Sequence, residues 1–172
     1  MSSAIHGQLM LMGPWIELAF RFIMYVFCGF SMEIIFALKG IELCVGVPIP
    51  RRVPGKYLEG FVSLYMIPIH GFGMLFGFEA LHFVIQHWAW PVRYLIWAVT
   101  ITSAEAIGGY LYLKVLGFYS WDYYRLSPYK IFRSGLTLWP LLPLWGVVGL
   151  GLEVYSDLLR YLSPHVSNYF LK

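Results

Sequence analysis

Each of four long apolar stretches of the sequence contains one member of the set Glu33, Glu79, Glu105 and Glu153. A carboxyl group in such a place could exchange a proton or coordinate a cation, because burial and neighbouring charges control its ionisation. An ionised side chain in the hydrocarbon of a bilayer costs about 2.5 kcal/mol or more. We therefore expect these side chains to face other helices, water or a partner rather than lipid.

Position along the stretches separates the four glutamates into two pairs. Glu33 and Glu105 lie deep inside their stretches, whereas Glu79 and Glu153 lie near boundaries, the latter close to Asp157. A deep carboxylate can act as a proton-exchanging or cation-coordinating group, or it can fix helix packing through an interhelical hydrogen bond or ion pair. Few polar residues accompany the deep pair along any continuous path, and this favours the packing role.

His70 is the third polar candidate inside the apolar stretches. It could serve as a ligand or proton carrier. Pro68 stands two residues earlier, however, and a proline inside a helix frees backbone carbonyl groups that a polar side chain can satisfy. The sequence favours this backbone role for His70.

The motifs of common cofactor sites are absent from the sequence. Glu79 and His82 have a three-residue spacing but supply only two plausible metal ligands. Phosphate-binding, dinucleotide-binding and nucleophile-elbow patterns do not occur. We therefore expect no metal, no cofactor and no ATPase activity in this chain.

The composition indicates what kind of protein positions these residues. The chain has 172 residues, of which 59% are hydrophobic and 12% charged, whereas soluble domains carry about a quarter charged residues. A spanning helix needs roughly 20 apolar residues, so the length predicts an all-α integral membrane protein with four helices and a single membrane domain. The predicted spans cover about residues 14–38, 60–85, 91–115 and 135–159.

Prolines and glycines predict irregularity in two of these spans. Pro68 predicts a kink in the second span, and Pro140 and Pro143 predict a broken or kinked fourth span. Gly73 and Gly77 form a pair of small residues four positions apart, which predicts the close approach of another helix.

Basic residues predict the orientation of the chain. Eight lie in the two loops that follow spans one and three, and they are Lys39, Arg51, Arg52, Lys56, Lys114, Arg125, Lys130 and Arg133. The opposite side has only Arg93, Arg160 and Lys172. The positive-inside rule then places both loops in the cytoplasm and both termini outside it. This distribution accounts for the net charge of +3 without a nucleic-acid-binding surface.

An aromatic segment in the second basic loop contains Trp121, Asp122 and Tyr123. Aromatic rings favour the headgroup layer of a membrane, so the segment predicts an interfacial motif. Asp122 could cap a turn, pair with a basic residue such as Arg133, or meet a lipid headgroup. A lipid-modifying enzyme would need Asp122, Arg133 and His70 to gather at the cytoplasmic interface, but no nucleophile and base stand at an informative spacing.

The same segment, together with other motifs, carries a resemblance to a known family. These motifs are Glu33 with its basic following loop, Pro68-Ile69-His70-Gly71, Glu105 with Gly109, Gly117 through Trp121-Asp122-Tyr123, and Gly135. Over about residues 29–159 the chain resembles the CmpB-like family, described as type IV ABC-transporter permeases and including the transmembrane-protein-229 proteins. The chain departs from the usual family pattern at His70, Tyr124 and Phe132. The resemblance implies a membrane-embedded architecture and a role in transport.

Two functions remain open from the sequence. The first is a membrane component without its own ATPase that helps to transport or position a small solute, ion or lipid within a larger assembly. The alternative is a structural or assembly subunit of a membrane complex with no transport activity of its own. Both imply a lipid bilayer and other membrane subunits as partners.

Overall fold

The first helical region extends through three connected elements. The structure is a computed structural model that describes residues 3–50 and 58–172, with side chains from residue 12 onward except at residue 39. Helix α1 covers Ser3–Ile35 and continues through a π-helical turn, Phe36–Gly40, into the short helix α2, Ile41–Val45. Gly46 ends α2 with a φ of 77°, which glycine adopts without a side-chain clash.

The second apolar stretch changes its helical type along its length. A 3-10 turn at Leu64–Met66 precedes a π-helix at Ile69–Phe78, which continues as α3, Glu79–Ile85. Pro68 directly precedes the π-helix and has no N–H group to donate, so the regular α-helical hydrogen bonding is interrupted there. The observed departure from a regular α-helix in this stretch is the π-helix of 10 residues. The kink that Pro68 predicts in the second span stays a prediction.

Two long helices complete the fold. Helix α4 covers Trp90–Leu116 and α5 covers Leu141–Phe170. Helix α5 begins and ends later than the predicted span 135–159, and the predicted break is not confirmed because the helix is continuous. Pro143 lies in its first turn, where backbone N–H groups have no partner within the helix, so a proline there interrupts no hydrogen bond.

In the part of the chain that the structure describes, three helical stretches have the length and hydropathy to cross a membrane: Met12–Leu38, Leu64–Ile85 and Leu141–Phe170. The helical class is therefore confirmed for the described residues, and the three stretches are candidate membrane spans. Helix α4 is not among the three. With 27 residues and a rise of 1.5 Å per residue it extends about 40 Å, so its length suffices and its polar residues lower its hydropathy.

Helix α5 is at the centre of the packing, because it lies against both α1 and α4, while the second helical segment, Leu64–Ile85, packs mainly on α1. Glycines permit the close approaches. A Cβ at Gly149 would lie 2.3 Å from the Trp97 side chain, so α4 and α5 could not meet there with a larger residue. Small residues at such contacts are typical of packed membrane helices.

Gly73 and Gly77 are not covered by another helix in the described part of the chain. Nothing in the described part of the chain lies within 4 Å of a Cβ built at either position. The predicted close approach of another helix at these glycines is therefore not seen within the described part of the chain, and it stays a prediction. Their face of the second helical segment is open.

The α4–α5 loop, residues 117–140, folds into a buried core with α2. Trp121 is 6% exposed, and its indole N–H donates to the Leu136 carbonyl over 2.9 Å. Gly135 has a φ of 70°, and a Cβ there would lie 2.8 Å from the backbone of Arg125, so glycine is required. The loop thus has a defined fold that closes one end of the helices.

Replacing Trp121 by alanine tests the importance of this core. We expect Trp121→Ala to lower the free energy of unfolding by about 3–5 kcal/mol, because it removes a large buried ring and its hydrogen bond. Trp139 is in the same loop but 60% exposed, so Trp139→Ala is the matched control and should have little effect. Thermal unfolding of the purified protein measures both, and equal losses would contradict a buried core in the loop.

Candidate functional site

A cavity of about 810 Å³ lies between the helices. Its walls come from α1, the second helical segment, α4 and α5, and the α4–α5 loop closes one end. The stacked rings of Phe78 and Trp97, 4.1 Å apart, line it as well. Most of the lining is apolar, so the cavity suits a hydrophobic or amphipathic molecule better than a hydrated ion.

The cavity opens between the second helical segment and α4. Gly73 and Gly77 on one side, and Thr100 and Ala104 on the other, are exposed and also line the cavity. No side chain in the described part of the chain covers the two glycines within 4 Å. A molecule could therefore pass sideways between these two helical elements.

Glu33 and His70 form a pair on the cavity wall. His70 Nε2 lies 2.7 Å from Glu33 Oε1, and both side chains are partly exposed to the cavity. Gly29 makes room for the imidazole, because a Cβ there would lie 2.3 Å from the ring. The predicted backbone role of His70 is corrected: its ring partner is Glu33, which is 37 positions away in the sequence.

Glu105 joins three parts of the fold through its carboxylate. Thr137 in the α4–α5 loop donates to Oε2 over 2.5 Å, and the indole N–H of Trp145 in α5 lies 3.4 Å from the same oxygen. The Tyr124 hydroxyl donates to Oε1 over 3.3 Å. All three donors are uncharged, and no described lysine or arginine forms an ion pair with Glu105.

Tyr123 lies at the same end of the cavity as the two deep glutamates. Burial, and then the negative charges of Glu33 and Glu105, raise the pKa of the Tyr123 hydroxyl above its ordinary value. The phenol is therefore a neutral donor. Ser120 adds a buried hydroxyl for which the described residues provide no hydrogen-bond partner. These groups, together with Glu33, His70 and Glu105, form what we call the polar end of the cavity.

Not every residue of the predicted interfacial motif belongs to the polar end. Trp121 and Tyr123 line the cavity, whereas Asp122 and Arg133 are exposed and lie outside its lining. His70 does line it, so the structure does not gather Asp122, Arg133 and His70 in one place. The donors Thr137 and Trp145 were missed, because only the fold of the α4–α5 loop brings them to Glu105.

Glu153 is the centre of a second polar cluster. It is 4% exposed, and its carboxylate accepts from Arg93 Nη1 over 2.8 Å and from the Trp97 indole N–H over 2.7 Å. His82 lies beside it and pairs with Asp157 over 3.0 Å. The side chain is therefore buried between α4 and α5, and its predicted position near a membrane boundary stays a prediction.

Glu79 is also neutralised by a cation. Arg21 Nη1 lies 3.2 Å from Glu79 Oε2, and the Tyr25 hydroxyl donates to Oε1 over 2.9 Å. Tyr25 also lies 2.8 Å from the Ser156 hydroxyl, so this cluster ties α1, α3 and α5 together. Neither Glu79 nor Glu153 lines the cavity, and their contacts fit a structural role.

Comparisons with known protein families, with curated proteins and with solved structures find no match to this chain. The resemblance to the CmpB-like family stays a prediction. Within the described residues, no group of three or more histidine, cysteine, aspartate or glutamate side chains could hold a metal ion. The geometry of the cavity is therefore what bears on the function of this chain.

The structural role of the Glu153 cluster can be tested by removing its cation. Arg93→Met should destabilise the fold by about 3 kcal/mol, because it leaves a buried carboxylate without a partner. Arg160 is exposed and forms no ion pair with a described residue, so Arg160→Met is the control. Thermal unfolding should show that the double variant Arg93→Met/Glu153→Gln regains part of the stability that Arg93→Met loses, because the buried carboxylate is then removed as well. Equal stability of the two single variants would contradict the structural role.

Proposed function

We propose that this protein is a membrane component without its own ATPase that takes a small amphipathic molecule or lipid into the cavity and positions or transports it within a larger assembly. The observation that carries the proposal is the cavity of about 810 Å³ with apolar walls and one polar end. Binding sites for small molecules have volumes of about 300–1,000 Å³ and combine apolar walls with a few convergent polar groups. The site has both properties.

The opening beside Gly73 and Gly77 supports access from the bilayer. Large apolar side chains next to it, Phe72 and Phe76, are 53% and 63% exposed, and Val99 on α4 is 58% exposed. In a membrane these side chains would face lipid, so an acyl chain could reach the cavity without crossing water. This route suits an amphipathic substrate.

The proposal includes α4 as a fourth span. Ile107, Leu111 and Val115 on this helix are exposed apolar residues, whereas Glu105 turns toward the α4–α5 loop and α5. A helix with an apolar outer face and an inward carboxylate fits a membrane bundle. The positive-inside rule then places the α4–α5 loop and the loop after α2 in the cytoplasm, with both termini outside.

The same opening also favours the alternative, a structural subunit. Exposed glycines let a helix of another protein approach closely, and Gly73 and Gly77 are exposed. In that case a partner helix would cover the cavity permanently. Purification in a mild detergent discriminates the two functions, because a scaffold should retain a stoichiometric partner across the opening.

Photolabelling tests binding through the opening. A long-chain alcohol that carries a photoreactive diazirine should label cavity residues of the protein in lipid vesicles, and Gly77→Trp should reduce this labelling several-fold by obstructing the opening. Gly151 on α5 also has nothing within 4 Å but does not line the cavity, so Gly151→Trp should leave it unchanged. Peptide mapping by mass spectrometry is the measurement. Labelling confined to the outer helix faces would contradict the proposed function.

Cysteine accessibility tests the fourth span. If α4 crosses the membrane, a cysteine at His87 reacts with an impermeant thiol reagent in intact cells, and one at Arg133 reacts only after permeabilisation. Both native residues are exposed, and the two variants are made in a chain whose Cys28 and Cys44 are alanine. Reaction of both positions from the same side would show that α4 does not cross.

A further inference from the structure

We propose that the cavity selects amphiphiles with a cationic ammonium headgroup, and that Glu105 and Glu33 bind this headgroup at the polar end. The inference rests on the proposed function, because it names the class of molecule that the cavity takes. Its basis is the charge and the shape of the cavity lining.

Carboxyl groups outnumber basic groups among the described side chains that line the cavity. Two carboxylates, Glu33 and Glu105, face one histidine, His70, and no lysine or arginine side chain described by the structure takes part in the lining. An anionic headgroup would meet two carboxylates at this end of the cavity. A cationic headgroup is complementary to them.

Glu105 differs from the carboxylates of the two structural clusters. Glu79 and Glu153 each have an arginine within 3.2 Å, as expected for buried charges. Among the described residues, the hydrogen bonds that Glu105 accepts come from neutral donors alone. These donors hold the carboxyl group in place but provide no counter-charge, so an ammonium group from a ligand would supply the cation.

Glu33 offers a second acceptor to the same headgroup. Its Oε1 atom engages His70, while its Oε2 atom has no hydrogen-bond partner among the residues that the structure describes. The Glu33 side chain is 28% exposed and lines the cavity. An ammonium group has several N–H donors, so it can engage Glu33 as well as Glu105.

Aromatic rings strengthen the preference for a cation. Trp121, Tyr123, Tyr124 and Trp145 line the cavity near the two glutamates. The faces of such rings attract ammonium groups and disfavour anions. The apolar walls beyond them, and the opening beside Gly73 and Gly77, accommodate the tail of the amphiphile.

Three photoreactive probes with the same long alkyl chain and different headgroups test the inference: a primary ammonium, an alcohol and a sulfate. The protein is reconstituted in vesicles of an uncharged glycolipid, and labelling of cavity peptides is divided by labelling of outer-face peptides of α5 to correct for partitioning. We expect this ratio to be about tenfold higher for the ammonium probe than for the alcohol, since a hydrogen bond to a charged group has this magnitude. The sulfate probe should give the lowest ratio.

Charge-neutralising variants assign the selectivity to the polar end. Glu105→Gln should lower the ratio for the ammonium probe to that for the alcohol, and Glu33→Gln should lower it in part. Glu59 is exposed and does not line the cavity, so Glu59→Gln controls for the loss of one negative charge and should have no effect. Thermal unfolding checks that each variant is folded. If Glu105→Gln does not fold, the inference is still tested by Glu33→Gln, whose native side chain is partly exposed, and by the labelling ratios of the three probes on the native protein.

The outcomes separate the two proposals. Equal cavity labelling by the three probes, or a preference for the sulfate, overturns the ammonium inference and leaves the proposed function intact. Absence of cavity labelling by every probe overturns the proposed function and the inference with it. An ammonium preference that Glu59→Gln abolishes as well as Glu105→Gln would reflect general surface charge and would also overturn the inference.

Discussion

The hydrogen bonds to Glu105 are the contact on which the rest of the cavity depends. One carboxylate on α4 is held by the α4–α5 loop and by α5 through Thr137, Tyr124 and Trp145. A polar side chain in an apolar environment must find its partners within the protein, because lipid supplies none. The α4–α5 loop is therefore attached to α4 through the carboxyl group of Glu105. In this position the loop closes one end of the cavity.

The four glutamates place a carboxyl group among apolar helices, and they find their partners in two different ways. Glu79 and Glu153 are paired with Arg21 and Arg93 across helices, and neither glutamate lines the cavity. Breaking such a pair leaves a buried charge, so the clusters act as structural links. Glu33 and Glu105 instead line the cavity and have histidine or neutral donors as partners. The difference in their partners, rather than their depth alone, distinguishes candidates for binding from structural groups.

The sequence predicts those features that depend on local periodicity and composition. The helical membrane class follows from the apolar stretches, and the distinction of Glu33 and Glu105 as deep residues follows from their positions. The pairing of Glu33 with His70 could not be predicted, because it joins residues 37 positions apart on elements whose relative rotation the sequence does not specify. Burial of Glu153 depends in the same way on Arg93 and Trp97, which reach it only after α4 packs on α5. The open face at Gly73 and Gly77 shows that small residues permit a close approach without requiring one.

An opening in this position has different consequences in a membrane and in water. A large apolar cavity exposed to water would be unfavourable, because hydration of its walls costs free energy in proportion to their area. In a bilayer, acyl chains can fill the space beside Gly73 and Gly77, and the walls keep apolar neighbours whether or not a ligand is bound. The tail of an amphiphile therefore gains little from entering the cavity. Selection among amphiphiles must therefore come from the headgroup. The groups that can provide this selection are those at the polar end, where Glu105 accepts hydrogen bonds and no described lysine or arginine pairs with it.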